Sequence, residues 1–190
     1  MEIRCPDTCG YLSTARHHPP AVVQRQYNRD IDALQPTMRG LTETQQHMAF
    51  LLLGVVSRYG SGETLDRLLD ADVADAAVAL AGTYETAARG VIYEHRASTL
   101  PAQRLVAALR EVVDEVGRRL PGRGLERDAS AALRGIERGA REVQARAGGE
   151  AAGVARTYVE VVRRMVPPYE PAAVPPGPSD AGSGLILPGA

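Results

Sequence analysis

A chain of 190 residues with 44% apolar content and a net charge of −1 suffices for one domain with its own core, and it lacks the charge excess of a generic polyanion binder. Trp is absent and Phe50 is the single Phe, so the core has to be assembled from Ala, Val and Leu, side chains that suit closely packed helices. All 22 basic residues are Arg, and the cysteines are two, Cys5 and Cys9.

Residues 1–20 carry Pro6, Gly10, Pro19 and Pro20, which forbid a continuous helix. This irregular segment lacks the basic-then-apolar layout of a secretion signal. The expectation is a cytoplasmic protein, in which a lone cysteine pair is reduced, metal-bound or redox-active rather than a structural disulfide. Within it, Cys5-Pro6-Asp7-Thr8-Cys9-Gly10 is followed by His17 and His18. Thiolates and imidazoles in one otherwise unsupported stretch suit a tetrahedral Zn²⁺ that cross-links it. The candidate ligands are Cys5, Cys9, His17 and His18, with His47 or His95 as alternatives for the last. The Cys-Pro-x-Cys-Gly knuckle of zinc ribbons has two residues between its cysteines, and this chain has three. Cys5-Pro6-Asp7-Thr8-Cys9 also resembles the Cys-Pro-x-x-Cys element of copper-delivering, thioredoxin-like assembly proteins. That resemblance implies copper held by two cysteines and a distant histidine. It covers five residues, and the strands of that fold are missing from the pattern, so the function is not carried over.

A helical domain is expected over residues 21–166. Val22, Val23, Tyr27, Ile31 and Leu34 fall at helical spacing, with Pro36 as the expected stop. Thr42 then precedes Gln45 by three residues, the spacing of a capping box. The run Met48 to Val56 is nine apolar residues, far short of the roughly 20 needed to span a bilayer. It predicts the most buried helix of the molecule, centred on Phe50 and ended at Gly60-Ser61-Gly62.

From Glu63 to His95, apolar residues including Leu65, Leu68, Leu69, Val73, Leu80, Tyr84 and Val91 keep a helical period. Unbroken, that helix would be roughly 50 Å long. Asp70-Ala71-Asp72 is the place where it would divide, because Asp favours caps over helix interiors. Thr99 with Pro101 starts a further helix, ended by Pro121-Gly122. The last helical stretch, Leu125 to Val166, shows an extra four-residue step at Gly148-Gly149 that predicts a kink or break. The fold class is therefore all-α: a single bundle of about five helices, with a Cys/His-containing lead and a Pro/Gly-rich tail at 167–190.

Two further patterns bear on function. Glu43 and His47 share a helical face, and Glu94-His95 closes the next helix, so antiparallel packing would bring all four together as a metal-binding carboxylate–histidine site. Six acids between Glu63 and Glu85 face eight arginines between Arg118 and Arg146, a layout suited to intrachain pairing or self-association. Pairs such as Glu137–Arg141 and Arg138–Glu142 support exposed helix. No aromatic platform accompanies the Arg block, which argues against nucleic acid as a partner.

The tail ends in Leu185-Ile186-Leu187 after an 18-residue linker rich in Pro and Gly. Its layout resembles the cargo peptides that load enzymes into bacterial encapsulin shells. Those favour an apolar residue before Gly-Ser-Leu, whereas Gly182-Ser183-Gly184 precedes Leu185 here. The triplet is expected to be buried, in a partner or against its own bundle. Together these features point to a bacterial-type cytoplasmic scaffold or adaptor acting through protein–protein contacts or self-association, with a zinc site at Cys5, Cys9, His17 and His18. The alternative is a metal- or thiol-dependent redox enzyme that uses the same cysteines and histidines.

Overall fold

Six helices and no strand make up the residues described by the computed structural model, 19–59, 68–120, 124–147 and 157–170. They are α1 (Pro19–Met38), α2 (Glu43–Tyr59), α3 (Asp70–Ala87), α4 (Leu100–Arg119), α5 (Leu125–Ala147) and α6 (Tyr158–Met165). The all-α bundle expected from the sequence is what forms. No helix among the described residues is long and apolar enough to cross a membrane.

The most extensive helix pair is α3 with α5. Small buried residues line both partners: Ala76, Ala77 and Ala81 on α3, and Ala129, Ala132 and Ala140 on α5. Such side chains let helix axes approach closely, which is how a core without Trp closes. Leu80, Leu133 and Ile136 fill the space between, and Leu52, Leu53 and Val56 of α2 with Leu105 and Leu109 of α4 complete one continuous core.

The local start signals work as the sequence implies. The Thr42 backbone N–H donates to Gln45 Oε1 at 3.1 Å and the Gln45 N–H to Thr42 Oγ1 at 3.4 Å, closing the capping box. Thr99 accepts from the Ala102 N–H at 3.2 Å, with Pro101 in the first turn of α4.

Four expectations are corrected. Helix α1 begins at Pro19 and runs through Pro36 to Met38. Proline there forfeits one hydrogen bond near the helix end, and Arg138 of α5 holds that end by donating to the Pro36 and Arg39 carbonyls at 2.9 Å each. Arg138 therefore serves α1, and Glu142 is met by Arg146 and Arg39 instead of Arg138.

The single helix from Glu63 to His95 does not form. Helix α3 starts at Asp70, where the Leu69 N–H donates to Asp72 Oδ2 at 3.0 Å, so the Asp pair divides the segment. It ends before Gly90, whose φ of 79° is the left-handed turn that stops a helix. Gly90 is thus the terminator of α3. Leu65 and the glycines at 60 and 62 lie outside the described residues.

Phe50 is the third correction. Met48, Ala49, Leu52, Leu53, Val55 and Val56 are buried as expected, but Phe50 is 45% exposed. The apolar run is longer than the buried arc of α2, and Phe50 falls on the stripe shared with exposed Glu43 and His47. The fourth concerns α1. Val22, Val23, Tyr27 and Ile31 are exposed, because the helix is anchored through its C-terminal half and its N-terminal half projects. The long last stretch resolves into α5 and α6; Gly148 and Gly149 lie outside the described residues.

Candidate functional site

Four of the buried polar residues, Asp30, Thr37, Ser57 and Asp70, converge on α6 and its ends. The short helix lies across α1, α2, α3 and α5, and each of its ends is met by a side chain from a different element. Asp70, at the start of α3, accepts from the backbone N–H groups of Tyr158 at 2.7 Å and Val159 at 3.1 Å. These donors have no partner inside their own helix, and a carboxylate there also meets the positive end of the helix dipole. Burial raises the Asp70 pKa, and the two backbone donors pull in the opposite direction. Thr157 completes a capping box with Glu160.

Beside this cap, the Tyr158 ring is fully buried and its hydroxyl shares a 2.8 Å hydrogen bond with Thr37 Oγ1. Burial raises the Tyr158 pKa far above the physiological range, so the phenol stays neutral. Thr37 itself sits in a notch on α5: a Cβ at Gly135 would collide with its carbonyl oxygen and one at Gly139 with its hydroxyl. One turn further, Arg164 donates to both oxygens of buried Asp30 at 2.9 and 3.0 Å, and Gln26 donates to the same carboxylate. The side-chain hydrogen bond from Asp30 raises the Arg164 pKa. All of these groups are satisfied by one another, which makes the cluster a structural clamp rather than a reactive centre.

One pair among the described residues, Arg134 with Glu85, joins the two charge blocks. Arg134 donates to both Glu85 oxygens at 2.8 and 3.0 Å and to Glu137 at 2.9 Å. The Arg134 hydrogen bond lowers the Glu85 pKa. Glu137 also meets Arg141 at 3.1 Å, as the four-residue spacing implies.

The expected carboxylate–histidine site is not assembled. Glu43 and His47 are exposed on α2, while Glu94 is paired with Arg110 at 2.6 Å. After Gly90 the chain turns back along α3: the Thr86 hydroxyl donates to the Tyr93 carbonyl at 3.2 Å and the His95 N–H donates to Thr83 Oγ1 at 2.9 Å. The His95 ring rests on Gly82, edge to face with Tyr93 at 4.8 Å. His95 is thereby carried to the middle of α3 instead of a helix end. Among the described residues no group of three or more His, Cys, Asp or Glu side chains is placed to hold a metal. The candidate ligands Cys5, Cys9, His17 and His18, and the Leu185-Ile186-Leu187 triplet, lie outside the described residues.

An open groove of about 450 Å³ lies beside the returning segment, lined by Asp75, Val78, Tyr93, Glu94, His95 and Arg96. Its acids are engaged, Asp75 by the Ser98 N–H at 2.6 Å and Glu94 by Arg110. No nucleophile–base pair lines it.

What the surface does present is apolar. Val23 and Tyr27 on the projecting N-terminal half of α1, and Ile31 beside the Asp30 anchor, stand four residues apart and are 65%, 50% and 43% exposed. Val91, Ile92 and Tyr93 form a second exposed apolar group where the chain leaves α3. The regular spacing of the α1 stripe was visible in the sequence; that no described residue covers it was not. Comparison with protein-family models, with curated proteins and with solved structures returns no match to this chain.

Proposed function

We propose that this chain is a helical scaffold or adaptor of the cytoplasm, and that it works by presenting the projecting half of α1 to another helix. The supporting observation is the Val23–Tyr27–Ile31 stripe, three large apolar side chains at four-residue spacing on a helix clamped to the bundle at Asp30 and Thr37. Such a stripe is the pattern an amphipathic helix uses to engage a second helix or a groove. Rigid anchoring at Thr37 and Asp30 reduces the ordering cost of binding.

The test is a triple variant, Val23→Ser, Tyr27→Ser, Ile31→Ser, compared with the parent by sedimentation and by partner capture. Loss of association with an unchanged melting temperature supports the proposal. Full retention of every association removes it.

A metal- or thiol-dependent role is the second reading. It is favoured by the position of the Cys5, Cys9, His17 and His18 set directly before Pro19, where α1 gains little packing of its own. Zinc held there would supply the missing anchor. Metal analysis of the purified chain, alongside Cys5→Ser, Cys9→Ser, decides between a structural ion and none.

A further inference from the structure

After α6 the chain does not leave the bundle but runs back along α2. The Ser57 hydroxyl donates to the Val166 carbonyl at 2.9 Å, and the Tyr169 N–H donates to the Gly54 carbonyl at 3.0 Å. Gly54 makes this passage possible: a Cβ there would stand 3.1 Å from the Tyr169 nitrogen and 3.2 Å from the Pro167 carbonyl oxygen. The Tyr169 hydroxyl donates to Glu115 at 2.6 Å and fixes the segment against α4.

The direction of travel is set by these contacts. Moving from Val166 to Tyr169, the chain passes from Ser57 back to Gly54, toward the start of α2. The two inward positions are three residues apart: Val166 is buried, Pro167 and Pro168 are exposed, Tyr169 is half-buried and Glu170 is exposed. A period of three is that of a polyproline-type strand, and residues 171–176 are Pro-Ala-Ala-Val-Pro-Pro, a composition that sustains it. Ahead on α2 lie Leu51, three residues before Gly54, and Phe50, four residues before it on the same face. Beyond them is His47, and no described residue covers this stripe: Phe50 is 45% exposed and His47 is exposed.

The molecule contains a second passage of the same kind. The segment after α3 crosses Gly82 at His95 and continues along α3 until the Ser98 N–H reaches Asp75. There, too, an extended segment crosses a helix at a glycine and keeps following it.

We propose that residues 171–175 of this chain extend the returning segment along the exposed Phe50 face of α2, placing Ala172 against Phe50 and Leu51 and Pro175 toward His47. The occupant of that apolar stripe is then the start of the Pro-rich tail, and Phe50 is its seat. A small residue at 172 suits the close approach that Gly54 begins.

The experiment places the photoreactive residue p-benzoylphenylalanine at position 50 of the full-length chain, an exposed site that tolerates the larger ring. After irradiation, an intramolecular crosslink mapped by tandem mass spectrometry to residues 171–175 is the expected result. Ala172→Asp in the same chain should lower its yield several-fold, with the circular dichroism unchanged. Crosslinks to a second copy, to other parts of the chain, or to nothing in a folded sample overturn the proposal.

Discussion

The hydroxyls of Thr37 and Tyr158, 121 residues apart, meet at 2.8 Å in the interior and join the end of α1 to the start of α6. Among the described residues each hydroxyl is the other's side-chain partner, so the pair is mutually dependent. Tyr158→Phe should cost about 1–3 kcal/mol, the range for stranding a buried polar group. The Tyr158→Phe, Thr37→Val double variant should cost less than the sum of the two single changes. Denaturant melts of the four proteins measure the coupling, and strict additivity would show that the hydroxyls do not interact.

Gly139→Ala tests the notch that receives Thr37. The added methyl meets the Thr37 hydroxyl and the Tyr158 ring, so the gain in helix propensity is outweighed by overpacking of about 1–3 kcal/mol. A variant as stable as the parent in thermal melts would mean that α1 can shift away from α5 without loss.

The pH dependence at Asp70 has a definite sign. Burial raises its folded pKa above the ordinary value of 3.8. The folded state therefore holds the proton more tightly than the unfolded chain. Stability from this group is full below the unfolded pKa and declines as pH rises through the folded value. Measured by urea melts between about pH 3 and 7, the parent should lose stability relative to Asp70→Asn on going up in pH. A difference that grows in the parent's favour would show that the Tyr158 and Val159 donors outweigh burial.

Phe50 and Leu52 separate the true core from its rim. Leu52 is completely buried, so Leu52→Ala should cost about 2–5 kcal/mol. Phe50→Ala should cost about 1 kcal/mol, well below the range for a fully buried Phe, because the ring is half in water. Equal losses would place Phe50 in the core after all.

Removing Arg164 takes the bidentate partner from the Asp30 carboxylate, which is 2% exposed and also accepts from Gln26. Arg164→Met should cost about 3 kcal/mol, the low end for a broken buried pair, since the Arg164 side chain is itself partly in water. Asp30→Leu combined with Arg164→Met should recover a large part of that loss in equilibrium unfolding.

Two local start signals were legible along the chain. Thr42 with Gln45, and Thr99 with Pro101, announced helix starts that the structure keeps, because a cap is decided by residues three positions apart. Periodicity was less informative where a helix was half in water. Val23, Tyr27 and Ile31 keep a core-like spacing yet face outward, and Val91 extends the period of α3 after Gly90 has already turned the chain. The Glu43, His47, Glu94 and His95 site failed for the same reason, since it required a helix continuing to His95.

By itself, then, the sequence determined an all-α bundle with a core of small side chains and the caps at Thr42 and Thr99, since periodicity, capping and composition act over a few neighbouring residues. Only the tertiary structure decided which apolar faces are covered. It alone revealed that Asp70 caps a helix 88 residues away, that Thr37 enters the Gly135–Gly139 notch, and that Gly54 carries the returning chain. Those contacts depend on how whole helices cross, and crossing is set by the summed shape of surfaces distant in the chain.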